Sequence, residues 1–80
     1  MKGNKEEYLV WASRLGQVEV VQLLLEEGVR NPWALYVASY KGHVKVVELL
    51  LRAGIRDSRA LYWASYKGHD KVIELLKLYK

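Results

Sequence analysis

Two histidines, three serines in matching surroundings and nine carboxylates carry the reactive groups of this chain. His43 and His69 are its only imidazoles, and with no third histidine or carboxylate at a suitable spacing they make a poor zinc site. Cysteine is absent, which removes thiolate ligands, thiol nucleophiles and disulfides together. Ser13, Ser39 and Ser65 each follow an alanine, the pattern of small residues that let helices approach closely. None is paired with a histidine and a carboxylate as a hydrolytic triad requires. Glu19, Glu48, Glu74 and Asp70 fall on the surfaces of expected helices and do not converge on a pocket. The glycines are isolated, whereas a phosphate-cradling loop needs them clustered ahead of a helix. The sequence therefore predicts a non-enzyme with no catalytic, metal-binding or cofactor-binding residue, no cofactor and no small-molecule substrate.

Recognition chemistry is better represented. Tyr36 and Tyr62 occupy one recurring position, Trp11, Val37 and Trp63 the next, and Tyr40 and Tyr66 a third, with Lys41 and Lys67 following. At about 100° per residue, with Leu35, Ala38 and Ser39 turned inward, the Val37 and Lys41 positions lie on a more open face. Trp11, Val37, Trp63, Tyr40, Tyr66, Lys41 and Lys67 are thus the candidate interface residues, since aromatic and cationic side chains suit protein contacts. Tyr36 and Tyr62 read instead as filling space between neighbouring units. For Trp11 and Trp63 interior packing and an open surface both remain consistent with the spacing.

These positions recur because the chain is a repeat. Gly16, Gly42 and Gly68 are 26 residues apart, as are Gly28 and Gly54. Residues 34–51 and 60–77 are identical at 14 of 18 positions, which leaves no doubt about the period. The chain of 80 residues divides into units 4–30, 31–56 and 57–80 of one domain, residues 1–80. Each unit reads as two short helices. In the second, Asn31 is an N-cap with Pro32 at the first helical position, and the helix runs to about Lys41. Gly42 ends it in the left-handed conformation, and a second helix runs from His43 to about Arg52. Gly54 is the next stop, with Ile55 packing back as in a Schellman motif. Asn4 and Asp57 cap the first helices of the outer units, and Glu7 completes a capping box with Asn4. Six helices of about ten residues with connections of two to four are predicted, each too short to persist alone. Stacking must stabilise them, so the fold class is all-α: a solenoid of three helix-turn-helix repeats.

The run from Ala34 to Gly54 resembles the helical part of an ankyrin repeat. Gly42-His43, Val46-Val47, Leu49-Leu50 and Gly54 match that family's pattern, and Gly68-His69, Val72-Ile73 and Leu75-Leu76 match it again, while the first unit has Gln17 in place of the histidine. The resemblance implies structural histidines that hydrogen bond in the turn region. It also implies a binding surface on hairpin tips and on the first helices. Ankyrin repeats run to about 33 residues, so a 26-residue unit lacks the β-hairpin loop, and the tip half of that surface is not carried over. Without hairpins, neighbouring first helices are free to come closer and the twist of the stack to change. Near-identical, minimally looped and well-capped units point to a designed or engineered origin, in which case no natural ligand is implied, while the irregular first unit, with Arg14, Leu15 and Gln17, argues for natural ancestry.

Composition limits the partners. A chain that is 51% hydrophobic and 28% charged folds rather than staying disordered, and its longest apolar run, the six residues 33–38, is far short of a membrane span of about 20. No signal peptide is legible, which fits an intracellular or recombinant setting. The net charge of +4 is ordinary for a small soluble domain, with the basic excess in the later two-thirds. The leading expectation is a protein-interaction scaffold that self-associates, as a homodimer or higher oligomer, through the first-helix face. The alternative is nucleic-acid binding along a basic ridge of Lys41, Lys45, Arg56, Arg59, Lys67 and Lys71, without any recognised motif to support it. In the last unit Asp70 and Lys77 replace Val44 and Leu51, the substitution expected of a C-terminal capping repeat that completes the chain.

Overall fold

The computed structural model describes residues 4–80; residues 1–3 of the expected domain lie outside the described residues. Six helices follow one another: α1 (Lys5–Leu15), α2 (Val18–Glu26), α3 (Pro32–Lys41), α4 (Val44–Arg52), α5 (Ser58–Lys67) and α6 (Asp70–Leu78). No strand occurs among the described residues. Each pair α1–α2, α3–α4 and α5–α6 is one antiparallel unit, and the units stack into a rod of 39 × 20 × 19 Å. One layer contains α1, α3 and α5, the other α2, α4 and α6, and the first layer is the more closely packed. Alanine makes that approach possible: Ala34, Ala38, Ala60 and Ala64 are wholly buried.

The helix ends are where the sequence places them. Asn4, Asn31 and Asp57 accept the backbone N–H two residues on, at 2.9, 3.0 and 2.9 Å. Gly16, Gly42 and Gly68 end the first helices with φ of 75°, 80° and 76°, a region that a Cβ disfavours. After α4, Gly54 turns the chain and the Ile55 N–H donates to Leu50 O at 3.1 Å, closing the Schellman turn over a buried Ile55; Gly28 and Val29 repeat it after α2. Two local expectations need correction. The turns between units span five residues, 27–31 and 53–57, since one further residue follows each helix before the glycine. Glu7 makes no return bond to Asn4 among the described residues, so Asn4 acts as a simple cap.

Arginine does cap work that the sequence left unassigned. Arg30 donates to Leu25 O and Val29 O, and Arg56 to Leu51 O and Ile55 O, all within 3.1 Å. These guanidiniums cover the last carbonyls of α2 and α4, where cations are favoured by the helix dipole. Arg30 also reaches Ala53 O of the next unit at 3.2 Å.

The core runs the length of the rod through Leu9, Val21, Leu35, Val46, Val47, Leu50 and Val72. Leu51 is only 2% exposed under the third unit, whereas Val44 remains 40% exposed beside it. Lys77 and Asp70, their counterparts in that unit, are exposed. The double variant Asp70→Val/Lys77→Leu is therefore expected to associate through its last unit as concentration rises, with Lys77→Leu accounting for most of the effect. Static light scattering checks this, and an unchanged mass would show that these positions do not keep the end soluble.

Candidate functional site

Because helices α1, α3 and α5 lie side by side, equivalent outward residues form columns across one face. Trp63 is the centre of that face. Its ring meets Tyr36, Tyr40, Tyr62 and Tyr66 at centroid separations of 6.5, 5.5, 5.1 and 5.6 Å, three of them edge-on. Such edge-to-face pairs are worth about 0.5–1.5 kcal/mol each beyond area burial. Trp33 extends the cluster through Tyr36 at 5.1 Å.

Cations lie on these rings. The Arg59 guanidinium is 4.1 Å from the centroid of Trp33 and 5.0 Å from that of Tyr36. Asp57 holds it there, its carboxylate accepting from Nε at 2.9 Å and from Nη2. The same pairing lowers the Asp57 pKa, chiefly through the Arg59 side-chain hydrogen bond, and raises that of Arg59. Lys67 Nζ stands 5.1 Å from the Tyr40 ring, and Arg14 is 5.1 Å above Trp11. Between the columns, where Val37 replaces a tryptophan, a hollow of about 260 Å³ is walled by Tyr36, Tyr40, Arg14 and Lys41.

All seven sequence-predicted interface residues lie on the first helices, but they differ in role. Trp63, Tyr40 and Val37 are half-buried, and Trp63 and Tyr40 belong to the ring cluster. Trp11 is 55% exposed, with Arg14 as its only aromatic or cation–π partner among the described residues. Tyr66, Lys41 and Lys67 are exposed. Tyr62 corrects an expectation: it is 64% exposed rather than space-filling, because no tryptophan of a further unit stands over it as Trp63 stands over Tyr36. Sequence reasoning missed Trp33. The signal was an arginine one repeat ahead of it, since positions 26 apart are neighbours in the stack.

His43 Nε2 donates to Arg14 O and His69 Nε2 to Tyr40 O, both at 2.9 Å, so each imidazole ties one unit to its predecessor. Ser13 and Ser39 are buried with hydroxyls that find no partner. No group of three or more histidine, aspartate or glutamate side chains able to hold a metal occurs among the described residues. The basic ridge is interrupted: Lys45 stands 3.9 Å from Glu48, Lys71 shares a groove with Glu48 and Glu74, and Arg56 and Arg59 are engaged as above.

Comparison with known proteins matches residues 9–80 to a family model of ankyrin repeats, three copies. No curated protein matches the chain.

Proposed function

The chain belongs to the ankyrin-repeat family, and from that premise we propose that it is a non-enzymatic interaction module that contacts a second copy of itself through the first-helix face. Ankyrin repeats generally serve as protein-interaction modules. The observation that carries the finer reading is the mixture on that face: exposed Trp11, Tyr62 and Tyr66 stand among Arg14, Lys41 and Lys67. Rings and cations on one surface are complementary to the same surface on a second copy. In a two-fold arrangement the acidic start of the face, with Glu7 in the column of Trp33 and Arg59, meets the basic end of its partner. The near-identity of the second and third units supports a designed or engineered origin, and self-contact then requires no natural ligand.

Sedimentation equilibrium tests the proposal. The parent is expected to approach twice its monomer mass at high micromolar concentration, and Trp11→Ala to return it to a folded monomer. A parent that stays monomeric over that range would overturn it. Steep weakening of binding to an oligonucleotide as salt rises would instead favour phosphate recognition.

A further inference from the structure

The hollow over Val37 is the place of a missing ring. The residues around it, Arg14, Tyr36, Val37, Tyr40 and Lys41, have counterparts 26 positions on in Tyr40, Tyr62, Trp63, Tyr66 and Lys67. There the Trp63 indole fills the space, edge-on to Tyr40, Tyr62 and Tyr66 at 5.5, 5.1 and 5.6 Å. Valine is too short to do the same, and about 260 Å³ stays open. The third unit therefore shows what fits the second: a flat ring of indole size that meets the edges of two tyrosines one helical turn apart.

The walls stand in place before anything enters. Tyr36 is backed by Trp33 and Trp63, and Tyr40 by Trp63 and Lys67. Both tyrosines are half-buried. Rings already fixed in this way lose little freedom when a ligand arrives, which favours binding of a small one.

One wall departs from the third-unit arrangement, and the departure sets the charge of the ligand. Where Trp63 meets Tyr40, the hollow has Arg14, held over Trp11 at 5.1 Å, with Lys41 completing the wall. Neither cation joins a salt bridge among the described residues. No carboxylate lines the hollow, and neither α3 nor α5 contains one. A guanidinium both stacks on rings and donates to carboxylates, and the lysine adds a second positive charge.

We infer that the hollow is a binding site for a small aromatic carboxylate. The ring lies over Val37 between Tyr36 and Tyr40, and the carboxylate accepts from Arg14 and Lys41. Such a ligand is held and not turned over, since no catalytic group stands beside it. One copy of the chain supplies the whole site, so the inference is independent of self-association.

Indole-3-acetate is the probe, with binding read by saturation-transfer NMR at low micromolar protein, below the range in which self-association is expected. A dissociation constant of about 0.1–1 mM is expected for a ligand of this size. Indole-3-ethanol has the ring without the charge and is expected to bind about tenfold more weakly. Arg14→Gln is expected to weaken indole-3-acetate about threefold and to leave indole-3-ethanol unchanged. Val37→Trp fills the hollow from within and is expected to abolish binding of both. Absence of saturable binding by the parent overturns the proposal, as do undiminished binding by a folded Val37→Trp and equal affinities for the two indoles. Should Val37→Trp lose its helical circular dichroism, Arg14→Gln decides, and an unchanged affinity for indole-3-acetate then overturns the proposal.

Discussion

Gly42→Ala is expected to destabilise the protein by about 3 kcal/mol, whereas Gly68→Ala, the same change one repeat later, loses about 1. Both substitutions force an alanine into a left-handed conformation, since the glycines have nearly equal φ of 80° and 76°. The difference arises across the repeat boundary. At Gly42 the new methyl meets Cε1 and Nδ1 of His69 at 2.7 Å, and that ring is fixed by its hydrogen bond to Tyr40 O. Relief requires the ring to withdraw, which takes its donor from the part-buried Tyr40 carbonyl and loosens the third unit from the second. At Gly68 the added methyl enters open space. Urea titrations of the two variants separate the effects, and losses equal within about 0.5 kcal/mol would show that backbone strain alone matters.

Trp63→Ala is expected to be the second large loss, about 2–3 kcal/mol, while Trp11→Ala stays within about 0.5. The two tryptophans occupy equivalent positions in their units, so a repeat-based argument from sequence would treat them alike. Their surroundings differ because the stack has a direction. Trp63 has the second unit before it and lies among four tyrosines, whereas Trp11 belongs to the first unit and touches Arg14. Removal of Trp63 leaves Tyr36 and Tyr40 with exposed edges at the boundary between the second and third units. Removal of Trp11 takes away ring area that was already in water. Thermal melts followed by circular dichroism distinguish the cases, and equal melting temperatures for the two variants would mean that the ring cluster contributes no stability.

Much of the architecture was legible because local chemistry dictates it. Proline after Asn31, glycine after Lys41 and the apolar stripe of α4 each state a helix boundary or a buried side without reference to anything distant. The turn lengths were short by one because the glycine follows a last non-helical residue, Ala53 or Glu27, that has αR geometry and blends with the helix in sequence. What lay beyond reach were relations between units. The glycine–histidine contact joins residues 27 apart, and Arg59 meets Trp33 after 26, so both become visible only once the repeats are superposed as a stack. Exposure at the two ends was harder still. Leu35 and Leu61 sit in nearly the same local sequence, and only the presence of a following unit distinguishes their burial.

The histidine ties also govern how the chain reaches its native state. Among the described residues, no side-chain hydrogen bond spans more than 29 residues, the separation of His43 from Arg14 and of His69 from Tyr40. Every loop that must close is therefore about one repeat long, and the entropy of closing the first is the same as that of closing the second. Low contact order of this kind belongs with folding in microseconds to milliseconds. On a ribosome adding about 5–20 residues per second, the first two units have time to dock as soon as His43 and the helix it begins have left the exit tunnel. The third unit then condenses on a finished template, so the direction of synthesis becomes the direction of assembly.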